Sequence, residues 1–150
     1  MPETRFKFER LEVWKLAMSF AEELWQETRT FPESERYALT SQLTRAVDSI
    51  ALNIAEGSIS QSDKELAKFL GYAIRSLAEV ITCLYKARNR KFIRDDAFTK
   101  YYDLSFEMMN RLNAFRKKNQ ELEIKEELAL VIGHRSPSNN LNFFLDSRIC

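Results

Sequence analysis

With 150 residues and a net charge of only +1, the chain has the size of one ordinary domain and no overall charge that would point to an anionic partner. Apolar residues make up 45% and charged residues 30%, which is typical of a soluble globular protein, and no apolar run approaches the roughly 20 residues that cross a bilayer. Two cysteines without metal-ligand spacing and a charged N-terminus predict free thiols, no secretion signal and a cytoplasmic protein.

The first predicted helix begins at Phe8 or Leu11 and ends at Thr30. Its apolar residues recur every three or four positions, which predicts one buried stripe. The stripe consists of Leu11, Trp14, Met18, Ala21, Leu24, Trp25 and Thr28. Phe31-Pro32 then ends the helix, because proline lacks an N–H donor and disfavours helix in the residue before it.

The second predicted helix begins at Pro32 or Glu33 and ends at Gly57, which we expect to form a left-handed C-cap. Its inward-facing residues follow the same helical spacing. They are Tyr37, Leu39, Leu43, Ala46, Val47, Ile50 and Ile54. A short polar connector of residues 58–61 follows.

The third predicted helix begins after Ser62, because residues 62–65 match the capping box in which serine and glutamate satisfy each other's free amides. It ends near Asn89. Its inward-facing residues are Leu66, Phe69, Leu70, Ala73, Leu77, Val80, Ile81, Leu84 and Ala87.

The fourth predicted helix begins at Asp95, which is a favourable N-cap residue, and continues to about Val131. Its inward-facing residues are Phe98, Tyr101, Leu104, Met108, Leu112 and Phe115. Short connectors force neighbouring helices to run antiparallel. The expected fold class is therefore all-α, an antiparallel up-down-up-down four-helix bundle with a C-terminal extension.

Residues 1–131 are expected to form the bundle, and residues 132–150 a tail that is partly disordered or docked. The tail begins with a Ser/Asn/Pro-rich stretch after Gly133, which is typical of a loop. Its last residues include Phe143, Phe144, Leu145 and Ile149, so the terminus could dock as a short apolar clip.

The charges are unevenly distributed along the chain. Residues 61–118 carry thirteen basic and seven acidic groups, a balance of +6. Clustered basic residues beside aromatics suit phosphate contacts with some base stacking, so the sequence predicts weak binding of RNA or DNA. The expected nucleic-acid-binding residues are Lys86, Arg88, Arg90, Lys91, Arg94, Arg116, Lys117 and Lys118, with Arg111 adding to the same positive surface. The alternative is that the arginines only complement a helix dipole.

A polar stripe follows one side of the second helix and has a counterpart on the third. Facing each other, these residues would form a hydrogen-bonded network that fixes the helix register, or alternatively a ligand pocket. The expected network consists of Arg45, Ser49, Asn53, Glu56, Ser76 and Glu79, with Arg45 or Arg75 pairing with Glu56 or Glu79 and Asn53 reaching Ser76.

Catalytic and metal-binding patterns are absent from the sequence. Di-iron bundles need Glu-x-x-His pairs, yet the one histidine is His134, in the tail. There is no glycine-rich phosphate loop. Glu56 and Glu79 could in principle act as a general acid and base. A structural role, in which arginine and amide partners hold both glutamates, is the far better supported interpretation. We therefore expect no enzyme activity, no metal and no cofactor.

Trp14, Trp25, Phe31, Tyr37, Phe69 and Tyr72 are more aromatics than a thin bundle core usually holds. Some of them are expected at a subunit interface, where aromatics are enriched, although all of them filling the core is an equal alternative. A homo-oligomer is therefore one of the expected states.

Five stretches of the chain resemble the bacterial four-helix bundle proteins that are encoded in intervening sequences of 23S ribosomal RNA genes. They are FERLEVW from Phe8 to Trp14; Phe31-Pro32 before Glu35 and Tyr37; Gln42-Leu43 followed by Ser49-Ile50; NIAEG from Asn53 to Gly57; and Phe69-Leu70 with Ala73, Ser76-Leu77 and Glu79. The resemblance spans about residues 6–118 and extends to the accessory variability proteins of diversity-generating retroelements.

This resemblance implies a homopentamer of antiparallel bundles without catalytic residues. In the accessory branch, it also implies nucleic-acid binding through a basic surface and association with a reverse transcriptase. Because this chain is nearly neutral, nucleic-acid affinity is expected to be weak. The alternative function is a protein–protein scaffold or an accessory subunit, for example of a reverse transcriptase, whose partner uses the apolar tail.

Overall fold

A computed structural model describes residues 4–133 of the chain. Four α-helices carry the fold: α1 (Glu12–Thr28), α2 (Ser41–Ser58), α3 (Asp63–Asn89) and α4 (Asp95–Gly133). α2 packs on α1 and α3, and α4 packs on α3 and α1, so the helices run up, down, up and down around one core. The described residues contain no strand. The all-α four-helix bundle predicted from the sequence is confirmed.

The core lies between the helices and takes side chains from all four of them. Burial of such aliphatic side chains contributes about 1.5–3 kcal/mol each relative to leaving them exposed. The largest fully buried side chains include Phe20, Leu24, Leu43, Ile50, Ile54, Leu70, Leu77, Leu84, Met108 and Leu112. Most were predicted from helical spacing; Phe20 was not.

The buried face of α1 differs from the predicted stripe. Met18 and Trp25 each keep 47% of their surface exposed, whereas Ala17 and Phe20 are fully buried. α1 packs between α2 and α4, and this placement turns the face that contains Ala17 and Phe20 toward the core instead of the face that contains Met18 and Trp25. Trp25 therefore lies on the surface rather than in the core.

The second helix was predicted to begin at Pro32 or Glu33, and this prediction was wrong. A 3-10 turn (Glu33–Glu35) and a π-helical turn (Arg36–Thr40) precede α2, with a break at Ala38, whose φ is −113° and ψ −105°. The break turns Tyr37 out into solvent, where it is 89% exposed. Leu39 still reaches the core.

Gly57 is not the left-handed cap that was predicted. It lies inside α2, and no glycine of the described residues has a positive φ. A Cβ at this position would lie 2.7 Å from the Cβ of Phe69 and 3.1 Å from Cδ1 of Leu66. The glycine is therefore needed for the close approach of α2 and α3.

The two ends of α3 are capped differently. At its N-terminus the Ser62 hydroxyl accepts a hydrogen bond from the Glu65 amide at 3.2 Å, which is one of the two bonds of the predicted capping box. The reciprocal bond from the Ser62 amide to the Glu65 carboxylate is not formed within the described residues. At its C-terminus Lys91 adopts a left-handed conformation with φ 59°. The Lys91 amide then donates to the Arg88 carbonyl and the Phe92 amide to the Ala87 carbonyl, each at 2.9 Å. These two bonds form a C-terminal cap that usually contains glycine at the Lys91 position.

Asp95 is the first residue of α4 rather than its predicted N-cap, and its carboxylate pairs with Arg88. α4 continues to Gly133, close to the predicted end at Val131. Its last buried residue is Asn119, and beyond that position all side chains except Glu123 are exposed. The predicted tail loop and the apolar clip at Phe143–Ile149 lie outside the described residues.

Candidate nucleic-acid interface

The basic residues around the α3–α4 connector form what we call the cap cluster: Lys86, Arg88, Arg90, Lys91 and Arg94. Three of its arginines are paired with carboxylates. Arg88 lies 2.8 Å from Asp95, Arg90 lies 3.4 Å from Glu35, and Arg94 lies 2.8 Å from Asp96. Much of the positive charge that the sequence concentrates here is therefore cancelled locally.

The structure does not bring the predicted nucleic-acid-binding residues together on one surface. Because α4 runs antiparallel to α3, the Arg116 Nε donates to the Ala67 carbonyl at 3.2 Å, near the opposite end of α3. The 21 residues between Ala67 and Arg88 correspond to about 30 Å of helix. The single positive surface expected from residues 86–94 and 116–118 is therefore divided into two separate clusters.

A second group of basic residues, the basic–aromatic face, lies along the N-terminal half of α3. It consists of Lys68, Tyr72 and Arg75 on α3 and Arg116 on α4, and these residues line one open cleft of about 630 Å³. The Lys68 Nζ lies 6.0 Å and the Arg75 Cζ 5.7 Å from the centre of the Tyr72 ring. Neither cation forms an ion pair with any residue between 4 and 133.

Gly71 allows Arg116 to lie against α3. A Cβ at position 71 would be 3.3 Å from the guanidinium carbon of Arg116. The arginine therefore lies over the glycine, and its side chain lines the cleft. Sequence analysis included Arg116 among the nucleic-acid-binding residues, assigned Tyr72 and Arg75 to other roles, and did not name Lys68. Their spacing of four and three residues, which places them on one helical face, was the available signal.

Carboxylates border the basic–aromatic face at its outer end. Lys64 lies 3.2 Å from Glu123, and this hydrogen bond raises the pKa of the Lys64 ammonium. Lys117 lies 3.9 Å from Glu121. Lys118 is exposed, with no carboxylate partner among the described residues. Of the predicted residues in α4, only Arg116 lines the cleft.

Three residues of the predicted polar network meet between α2 and α3. The hydroxyls of Ser49 and Ser76 lie 3.0 Å apart. Asn53 donates to the Ser49 carbonyl at 2.7 Å and to its hydroxyl at 3.0 Å, so it reaches Ser76 only through Ser49. All three are half-buried, and the direct Asn53–Ser76 contact predicted from the sequence is absent. The arrangement links α2 to α3 through side-chain hydrogen bonds.

The charged members of the predicted network lie outside it. Arg45, Glu56 and Glu79 are all exposed. Glu79 accepts a bond of 3.4 Å from Gln42, and the Arg45 Nε donates to the Ser41 carbonyl. No ion pair joins Arg45 or Arg75 to either glutamate in the described part of the chain.

An apolar groove of about 660 Å³ lies on the outer side of α1 and α2. Its exposed apolar side chains are Met18, Trp25 and Leu52, and Trp14 lines it as well. Asp48 lies at the same groove, and partial burial raises the pKa of its carboxyl. This groove contains two of the aromatics for which an interface was predicted.

Residues 4–133 contain neither a candidate membrane span nor a candidate metal-binding cluster. No helix there is both long and apolar enough to cross a membrane. No group of three or more potential metal-ligating side chains was found in that part of the chain.

Comparisons with known proteins agree with this architecture. The bundle superposes on the crystal structure of a protein of unknown function from the S23 ribosomal protein family of Bacteroides thetaiotaomicron, with a TM-score of 0.63 and 21% identity. The match covers 70% of this chain and 98% of that one, and at this identity it shows a common fold. No curated protein matches the sequence. The model of the 23S rRNA-intervening sequence proteins matches residues 9–114, so the chain belongs to this family.

Proposed function

We propose that the protein is a non-enzymatic homo-oligomeric bundle that binds single-stranded RNA or DNA weakly through the basic–aromatic face. The observation that carries this proposal is the cleft in which Lys68, Arg75 and Arg116 surround Tyr72. Lys68 and Arg75 have no carboxylate partner among residues 4–133, in contrast to the arginines of the cap cluster.

The chemistry of this face suits a single strand. Lysine and arginine contact phosphates, and an aromatic ring beside them offers a surface on which a base stacks. Three cations predict a low affinity for one bundle. A ring of copies would repeat the face around its surface and raise the overall affinity through multivalency.

The apolar groove supports self-association. Its exposed Trp25, Met18 and Leu52 form a patch of the kind that marks protein interfaces. A second exposed aromatic group, Tyr85, Tyr102 and Phe106, lies on α3 and α4. Two different patches on one subunit favour a head-to-tail contact, which forms a ring when the rotation between neighbouring copies closes. Five copies is the number that the family resemblance implies.

Nucleic-acid binding is tested by fluorescence anisotropy with a labelled single-stranded RNA of about 20 nucleotides at 50 and 200 mM salt. The test variant is Lys68→Ala/Arg75→Ala. We expect at least a tenfold loss of affinity at 50 mM salt and a salt slope that is smaller by about 1.4, since each phosphate contact to a single strand contributes about 0.7. Repeating the titration with DNA compares the two nucleic acids.

The matched control is Lys86→Ala/Lys91→Ala, which removes the same charge from the cap cluster. It should change the affinity less than threefold. Equal losses in the two variants would assign binding to net charge rather than to the basic–aromatic face. A wild-type protein that does not bind at 50 mM salt would overturn the proposal and favour the protein–protein scaffold.

Self-association is tested by sedimentation velocity. A pentamer has five times the 17.7 kDa mass of the chain. Trp25→Asp/Leu52→Asp should dissociate it, because both charges would be buried in the contact. Tyr37→Asp changes an exposed aromatic outside the groove and is the control. A wild-type protein that sediments as a monomer at micromolar concentration would refute the oligomer.

A further inference from the structure

The last turns of α4 form an uncovered helix, which we call the overhang (residues 120–133). It follows the last buried residue, Asn119, and lies beyond the family match, which ends at residue 114. A helix end that projects beyond its packing partners frays in water, because most helical stability in proteins comes from tertiary packing. Only Glu123 of the overhang is partly buried, and it forms an ion pair with Lys64, so a further contact would stabilise the rest of the segment.

The overhang carries an apolar stripe. Ile124, Leu128 and Val131 are spaced by four and three residues, so they lie on one face, and Ile132 extends it. These four side chains are between 55% and 68% exposed. Such a contiguous exposed stripe is typical of a surface that another segment covers.

The negative charge around the stripe indicates which kind of segment can cover it. The overhang contains four glutamates and one lysine, a balance of −3. Glu126 and Glu127 form no ion pair within residues 4–133. The overhang of a second copy would bring another −3 against it, so pairing of two overhangs is opposed by repulsion. A partner should be apolar and neutral or basic.

The chain's own C-terminal segment meets these requirements. Residues 134–150 contain two arginines and one aspartate, a balance of +1 with His134 neutral, and residues 141–149 contain five large apolar side chains. The connector of residues 134–140 contains Pro137 and spans at most about 23 Å when extended. The stripe from Ile124 to Val131 is only about 10 Å long. The connector is therefore long enough for a return along the overhang.

We propose that residues 141–149 fold back onto the overhang and cover the stripe of Ile124, Leu128 and Val131. This contact is independent of nucleic-acid binding. Attachment to the same chain gives the segment a local concentration in the millimolar range, which favours it over an external partner of similar chemistry.

The proposal is tested by amide hydrogen exchange in the full-length protein and in Phe143→Ser/Phe144→Ser. Loss of the two aromatics should accelerate exchange of residues 124–132 at least tenfold, because the uncovered helix frays. Residues 77–84 of α3 should exchange as in the wild type, which verifies that the bundle is intact. Asn139→Ser/Asn140→Ser, in the connector, is the control and should leave both regions unchanged.

A second variant that ends at Gly133 should reproduce the acceleration seen in the double substitution. Unchanged exchange of residues 124–132 in both variants would overturn the proposal. Protection that decreases when the wild-type protein is diluted would also overturn it, because the stripe would then be covered by another copy.

Discussion

The two ends of α3 both carry basic clusters, but neighbouring carboxylates affect them very differently. In the cap cluster, Arg88 and Arg94 are paired with Asp95 and Asp96, which begin the next helix. In the basic–aromatic face, Lys68 and Arg75 flank Tyr72 without such partners in the described chain. The cluster that is denser in sequence therefore has the larger share of its cations paired with carboxylates.

This difference follows from how the ends of a helix are built. A connector between two helices places the basic last turn of one beside the acidic first turn of the next, since both complement their helix dipoles. Their charges then cancel. Lys68 and Arg75 lie away from this connector, and neither forms an ion pair within residues 4–133.

The largest effect is expected where α2 and α3 approach most closely, at the end of α3 that carries the basic–aromatic face. Gly57→Ala would place a Cβ 2.7 Å from that of Phe69, and both belong to helices that cannot yield locally. Overpacking of this kind costs about 1–3 kcal/mol, and higher helix propensity offsets only part of it. We expect a loss of about 1–2 kcal/mol and a Tm lower by about 5 °C in calorimetry.

The control for this prediction is Gly71→Ala, whose added Cβ would meet only the side chain of Arg116 and not another helix backbone or Cβ. If Gly57→Ala leaves the Tm unchanged at the same protein concentration, the close contact of α2 with α3 does not limit stability. The protein concentration must be held constant because association shifts the apparent stability.

An intermediate effect is expected at the opposite end of α3. Lys91 holds a left-handed conformation that costs a non-glycine residue about 1–2 kcal/mol. Lys91→Gly removes this cost but adds about 0.5–1 kcal/mol of unfolded-state entropy. We therefore expect a net gain of about 0.5–1 kcal/mol in urea unfolding.

Lys91→Ala is the control for this prediction, because it removes the charge and keeps the Cβ. It should give no gain in stability. A gain of the same size in the alanine variant would show that charge repulsion within the cap cluster, and not backbone strain, limits stability at this end.

The smallest effect is expected for Gly71→Ala. Its Cβ would meet only the guanidinium end of the flexible Arg116 side chain, at 3.3 Å, and alanine is the better helix former. We expect a gain in stability of about 0.5 kcal/mol, which raises the Tm of a chain of this size by about 1–2 °C. A decrease in Tm would mean that Arg116 is held rigidly, contrary to its place at an open cleft.

Apolar spacing in the sequence was sufficient to predict four helices, their antiparallel order and most of the core, because helical periodicity reports directly which face is buried. The capping residue Ser62 and the end of α3 near Asn89 were predicted for the same local reasons. The polar network between α2 and α3 was predicted in part. Ser49, Asn53 and Ser76 form it, but Glu56 and Glu79 do not join them.

Other features depend on contacts between distant residues and were decided only by the tertiary structure. The sequence pattern predicted Gly57 as the end of a helix. In the structure it is the close approach of Phe69, on another helix, that requires a glycine there. The basic residues near Arg88 form a cluster in sequence, yet antiparallel packing places Arg116 about 30 Å away, beside Ala67. Local patterns specify which elements form, whereas the pairing of charges and the closeness of helices are properties of the assembled bundle.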